Sequence, residues 1–131
     1  MHVDLRQAGG VIIVDLEGDL VAGTGDELLR EVMDELVNAG WKRILINLSA
    51  VPRLDSAGLG ELVASIKRSA RAGASVRLLH VTGRVREVLA LSQVLPLFPV
   101  HDNEPEAIAA FAGEDSAPRP DAVRDPASGQ V

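Results

Sequence analysis

The fold is decided by the stretch Ile44-Leu45-Ile46-Asn47-Leu48, which is followed by Pro52-Arg53-Leu54-Asp55-Ser56-Ala57-Gly58-Leu59-Gly60. The first segment is apolar on both faces of a strand, as expected where strands flank it and helices cover it. It therefore predicts the central strand of a sheet. The second segment leads into apolar residues at helical spacing, which begin at Leu59 and end before Gly73, so it connects this strand with a helix.

A hairpin and a helix are predicted on the N-terminal side of this strand. Val3 and Leu5 alternate with polar residues, and Ala8-Gly9-Gly10 forms a turn before the largely apolar residues 11 to 16. This pattern is typical of two antiparallel strands joined by a tight turn. Apolar residues at helical spacing then predict a first helix over about residues 25 to 39.

On the C-terminal side, the pattern predicts a strand over residues 75 to 81 and a third helix from Val85 that ends before Pro96. A short last strand is predicted over residues 97 to 100, and Pro105 marks the first turn of a fourth helix. Because each later strand follows a crossover helix, it should lie parallel to its neighbour. The order β-β-α-β-α-β-α-β-α predicts an α/β fold with a single mixed five-stranded sheet.

The chain is predicted to hold one domain, residues 1–113, and a disordered tail, residues 114–131. A chain of 131 residues leaves no room for two independent cores. The tail contains three of the seven prolines and has two valines as its sizeable apolar groups, so it cannot build a core.

Charge and composition exclude several classes of function. Nineteen acidic and 13 basic residues give a net charge of -6, without the basic excess that binding to nucleic-acid phosphates requires. With no cysteine and three scattered histidines, no metal site is predicted, and no glycine pattern indicates a cofactor. No apolar run approaches the length of a membrane span, and the first residues do not resemble a secretion signal, so a cytoplasmic protein is expected.

The segment around Ser56 has two interpretations on its local chemistry. Ser56 precedes the helical stripe, so its hydroxyl is placed to cap the helix by accepting a hydrogen bond from an amide of the first turn. Gly58 and Gly60 each cost up to about 1 kcal/mol in a helix relative to alanine. Such a cost is expected where another group must approach the backbone closely. The second interpretation is therefore a contact surface that contains a functional serine.

The stretch Leu54-Asp55-Ser56-Ala57-Gly58-Leu59-Gly60-Glu61-Leu62 resembles the Asp-Ser-(Ser/Thr)-Gly-Leu-Gly signature of the STAS domain family of anti-sigma factor antagonists. Leu16-Glu17-Gly18-Asp19-Leu20 resembles the Gly-Glu-Leu/Ile-Asp turn of that family, and Ile46-Asn47-Leu48 is similar to the end of its central strand. The similarity in segment order covers about residues 1 to 113 and implies a sheet with helices packed mainly on one face.

The resemblance implies that Ser56 is phosphorylated by a partner, an anti-sigma factor with serine kinase activity. It also implies a non-enzymatic module that binds this partner, frees a sigma factor and is switched off by phosphorylation. Two positions depart from the family pattern: Val21 stands where a second acid is common, and Ala57 where a hydroxyl residue is common. The implied partner-binding residues are Asp19, Leu20, Val21, Thr24, Asp55, Ala57, Gly58, Leu59, Gly60 and Glu61.

Three other functions are compatible with parts of the sequence pattern. The alternative function is a STAS subunit of a membrane transporter complex of the lipid-transport type, which uses the same surface without phosphorylation. A phosphoaspartate receiver fits poorly, because Pro52 separates Asp55 from its strand and the only lysines are Lys42 and Lys67. A serine hydrolase would need a glycine at the position of Leu54, so no catalytic residue is predicted.

Overall fold

The structure, a computed structural model, describes residues 1–115 and places within them one five-stranded sheet and four α-helices. The strands are β1 (His2–Ala8), β2 (Val11–Glu17), β3 (Arg43–Ala50), β4 (Ser75–Leu79) and β5 (Val100–His101). The helices are α1 (Asp26–Asn38), α2 (Ser56–Arg71), α3 (Gly83–Leu91) and α4 (Glu104–Asp115). This order of elements is the predicted one.

The sheet has the order β1-β2-β3-β4-β5, so β3 is its central strand. The β1–β2 hairpin is antiparallel, and every later strand pairs in parallel with the strand before it. Ile44, Leu45 and Ile46 are fully buried, because both faces of β3 are covered. The mixed sheet and its central strand are therefore confirmed.

Three helices pack on one face of the sheet and the fourth packs on the other. On the first face, Leu29 of α1, Leu62 of α2 and Leu89 of α3 share one core with β2, β3 and β4. On the second face, Ala107 and Phe111 of α4 pack in a smaller cluster. The expectation that helices lie mainly on one face is confirmed.

The predicted ends of the later elements differ from the structure. Strand β4 ends at Leu79, because His80 adopts a left-handed backbone with a φ of 60° that an extended strand cannot contain. The last strand is Val100–His101 rather than residues 97–100, because Leu97 belongs to the 3-10 turn Leu95–Leu97 and Pro99 has no amide hydrogen for a sheet ladder. Helix α4 extends to Asp115, two residues beyond the predicted domain boundary, and the rest of the predicted disordered tail lies outside the described residues.

Two features are absent from the part of the chain that the structure describes. Among the helices of residues 1–115, none is long and apolar enough to cross a membrane. The same part of the chain contains no group of three or more His, Asp or Glu side chains that could hold a metal ion.

Candidate protein-binding site

Two loops at the carboxyl ends of β2 and β3 are joined to each other, and we call them the loop pair (residues 18–25 and 51–55). The Gly18 amide donates to the Ala50 carbonyl at 3.0 Å, and the Leu20 amide donates to the Arg53 carbonyl at 2.9 Å. Leu20 and Leu54 form a parallel bridge, so the ladder between β2 and β3 continues into the loops. The loop pair is therefore an ordered extension of the sheet, and α2 starts directly from it.

Leu20 and Gly58 hold α2 against the loop pair. The Leu20 side chain is fully buried, and Gly58 is buried beneath it in the first turns of α2. A Cβ at position 58 would overlap the Leu20 carbonyl oxygen and lie 2.8 Å from the Leu20 carbonyl carbon. The close approach that requires glycine at position 58 is therefore made by the chain itself, and a contact of Leu20 and Gly58 with a partner stays a prediction.

The cap of α2 is Asp55 rather than Ser56. The Asp55 carboxylate accepts hydrogen bonds from the Gly58 amide at 2.8 Å and from the Ala22 amide at 3.1 Å. These two amides, Gly58 first, hold the pKa of Asp55 below its ordinary value, since they stabilise the charged form. Asp55 thus caps the helix and also ties it to the opposite loop, whereas Ser56 is the first residue of the helix itself.

Asp55→Ala should lower the melting temperature by about 5 °C at neutral pH, because an amide of α2 and an amide of the loop pair lose their acceptor. A carboxylate whose pKa is lowered on folding stabilises the fold fully above the unfolded pKa of about 3.9. That contribution is lost as the pH falls through the lower folded pKa. Thermal unfolding followed by circular dichroism from pH 7 to pH 2.5 should therefore show the difference between variant and wild type closing below about pH 4.

The control for this measurement is Asp102→Ala, which removes an exposed aspartate outside the loop pair. Its melting temperature should stay within about 2 °C of the wild-type value at neutral pH. If the melting temperatures of Asp55→Ala and the wild type differed at pH 2.5 by as much as at neutral pH, the capping role of the charged carboxylate would be contradicted.

Ser56 lies exposed at the head of α2, with its hydroxyl released from the capping role. Gly60 is also exposed, and a Cβ there would meet nothing within 4 Å. The remaining predicted residues of this end, which are half-buried except for the exposed Thr24, are Asp19, Val21, Thr24, Ala57, Leu59 and Glu61. The structure thus brings Ser56 together with most of the predicted surface at one end of the sheet.

Charged pairs fix the edges of this surface. Arg53 donates to the Asp19 carboxylate at 2.6 Å across the loop pair, and this guanidinium lowers the pKa of Asp19. Glu61 accepts from Arg68 at 2.7 Å and has a side chain only 14% exposed. Arg68 also reaches Asp34 of α1, so the Glu61 carboxylate is engaged inside the protein and has little surface for a partner.

An open cleft of about 510 Å³ lies beside the loop pair. Its lining residues are Val21, Arg53, Leu54, Asp55, Arg84 and Val88. Arg84 and Val88 belong to α3, and the sequence reasoning missed them. No local motif marks them, because they reach the cleft only through the packing of α3 beside the β3–α2 loop.

Residues 2–107 match the family model described as the STAS domain. The chain belongs to the STAS domain family. Among its relatives, the anti-sigma F factor antagonist of Paenibacillus polymyxa is 28% identical over 109 residues, which are 82% of this chain and 92% of the relative.

Two solved structures show the same fold at low sequence identity. The Bacillus cell fate determinant SpoIIAA, solved in its phosphorylated form, matches with a TM-score of 0.64 and 20% sequence identity. The match covers 84% of this chain and 99% of SpoIIAA. A sulfate transporter family protein from Wolinella succinogenes matches with a TM-score of 0.71 and 21% sequence identity. The match covers 82% of this chain and 89% of that protein. The STAS fold that the motif resemblance implies is therefore confirmed.

Proposed function

We propose that this STAS domain protein is an anti-sigma factor antagonist, a binding module that sequesters an anti-sigma factor with serine kinase activity and so frees a sigma factor. The observation that carries the proposal is the position of Ser56, exposed at the head of α2 while Asp55 makes the cap. Because Asp55 caps the helix, capping does not explain why a serine stands at position 56. The name of the Paenibacillus polymyxa relative supports the same function.

The surroundings of Ser56 suit a residue that is modified while the fold stays intact. The hydroxyl is accessible, and the helix that follows it is held in place by Asp55 and Gly58 rather than by Ser56. A phosphate adds about -1.5 to -2 charges at this point without removing a contact that the fold needs. The structure of SpoIIAA in a phosphorylated form fits this proposal.

In this proposal the protein works by binding rather than by catalysis, and it acts in the cytoplasm. The partner covers the head of α2 and the exposed part of the loop pair while Ser56 is unmodified. The partner then transfers the terminal phosphoryl group of ATP to the Ser56 hydroxyl, which leaves ADP and phosphoserine. The phosphorylated protein no longer binds, and the anti-sigma factor returns to its sigma factor.

A second candidate is a non-phosphorylated STAS component of a membrane transporter complex. The observation that favours this candidate is that the same fold occurs in the sulfate transporter family protein from Wolinella succinogenes. That candidate makes no use of an accessible serine that is released from capping. We therefore rank it second, and the experiment below separates the two.

The test is affinity capture from an extract of the producing organism, with the full chain as bait and mass spectrometry of the bound proteins and of the Ser56 peptide. We expect an anti-sigma factor with a kinase domain among the retained proteins and phosphate on Ser56 after addition of ATP. Ser56→Ala is the control, since it should retain the same partner and take up no phosphate. Retention of permease and ATPase subunits, with Ser56 unmodified, would instead establish the transporter function.

A further inference from the structure

The outer face of α3 carries a large apolar side chain that is mostly exposed. Leu91 is 84% exposed, compared with 49% for Leu5 on β1. On a helix, residues separated by three and seven positions share a face, so Leu91 lies in line with Val88 and Arg84. Leu91 is thus the far end of a stripe rather than an isolated apolar residue.

This stripe is continuous with the cleft beside the loop pair. Arg84 and Val88 line the cleft from α3, while Val21 and Leu54 line it from the two loops. An apolar surface therefore runs from the loop pair across Val88 to Leu91. We call the cleft together with the outer face of α3 the α3 surface.

The α3 surface also carries cationic groups in a chain whose net charge is -6. The Arg84 side chain is 67% exposed and pairs loosely with Glu87 at 3.6 Å. The Arg53 side chain is 70% exposed and holds Asp19. An exposed pair on one helix contributes little, so the Arg84 guanidinium can exchange Glu87 for a carboxylate of another molecule at small cost.

We propose that the α3 surface receives a segment of the anti-sigma partner that presents apolar side chains to Val88 and Leu91 and a carboxylate to Arg84. The inference rests on the proposed function and adds a second contact area to the head of α2. The exposed Arg84 guanidinium favours an occupant that presents a carboxylate, and the position of the cleft beside the head of α2 favours the partner that binds there. A second copy of the chain is disfavoured, because two copies at -6 each repel one another.

The α3 surface also gives phosphorylation a second effect. Asp55 belongs to the cleft lining, and Ser56 is its neighbour in the chain. A phosphate on Ser56 therefore adds negative charge next to the Asp55 edge of the cleft into which the partner presents its carboxylate. Repulsion between these like charges weakens the contact with Arg84 in addition to blocking the head of α2.

The experiment uses two variants of the full chain, Leu91→Ser and Arg84→Glu, and the purified anti-sigma factor identified by the capture described above. Leu91→Ser should weaken binding about tenfold or more in calorimetry, because a large apolar side chain no longer enters the interface. Arg84→Glu should weaken it about fivefold at low salt and less at high salt, since screening reduces the charge interaction.

Two controls make corresponding changes elsewhere, one at a leucine and one at a basic residue. Leu5→Ser alters the exposed leucine of β1, and Lys67→Glu reverses an exposed charge in α2, outside the cleft lining. Both controls should bind within about twofold of the wild type. Each variant is also unfolded thermally, so that a loss of binding is counted only where the fold is retained.

The outcomes separate this inference from the proposed function. If the wild-type chain retains no anti-sigma factor, both proposals fall. If it does, and both α3 variants bind as tightly as the wild type, only docking on the α3 surface is refuted. Sedimentation that shows a wild-type dimer, lost in Leu91→Ser without a change in partner binding, would assign the α3 surface to a second copy and also overturn the inference.

Discussion

Replacing Gly58 with alanine is expected to destabilise the fold by at least about 3 kcal/mol. The added Cβ would overlap the Leu20 carbonyl oxygen, and the two nearest atoms that it meets are backbone atoms of a loop fixed by the hydrogen bond from the Leu20 amide to the Arg53 carbonyl. Backbone held in this way cannot rotate aside as a flexible side chain can. Either α2 must move off the loop pair or the ladder between the two loops must break.

Gly60→Ala is the matched control, since it makes the same chemical change two residues further along α2. A Cβ at position 60 meets nothing within 4 Å, so the variant gains the helix propensity of alanine, worth about 0.5–1 kcal/mol. Urea unfolding of both variants measures the difference directly. Equal stabilities for Gly58→Ala and Gly60→Ala would show that α2 does not press on the Leu20 backbone.

The sequence is sufficient for features that rest on local periodicity. The β1–β2 hairpin follows from alternation and the Gly9-Gly10 turn, and α2 follows from the apolar spacing that begins at Leu59. The central strand follows from the apolar run at residues 44–48. Each of these elements is confirmed because the pattern that predicts it lies within the element itself.

The site is less predictable because its decisive contacts join distant parts of the chain. Position 58 requires glycine because the Leu20 backbone lies against it. This contact cannot be inferred until the loops after β2 and β3 are known to lie side by side. Asp55 and Ser56 are both good capping residues in adjacent positions, and local preference does not choose between them. The Ala22 amide, brought in by the opposite loop, gives Asp55 a second bond that Ser56 lacks.

Phosphorylation of Ser56 is expected to reduce affinity for the anti-sigma factor 100-fold or more while leaving the fold almost unchanged. The phosphate stands at the first residue of α2, where the helix dipole favours negative charge by roughly 0.3 to 1 kcal/mol. This gain offsets the repulsion from the neighbouring Asp55 carboxylate, whose own bonds to Gly58 and Ala22 are unaffected. The isolated protein should therefore unfold within about 3 °C of the unmodified one.

The penalty falls on the complex, because a partner that covers the head of α2 must remove water from a dianion that has no counter-ion in the interface. Desolvating that charge costs several kcal/mol, which corresponds to the expected loss of affinity. Ser56→Asp carries a smaller charge and should lose about tenfold in affinity, and Ser56→Ala should bind as the wild type does. Ser49→Asp is the control, because it adds the same charge at an exposed serine near the end of β3. Calorimetry with the purified anti-sigma factor compares these variants with protein that carries phosphoserine at position 56. Equal affinity of the phosphorylated and unmodified proteins would refute the switch, and a fold lost on phosphorylation would show that Ser56 supports the start of α2 after all.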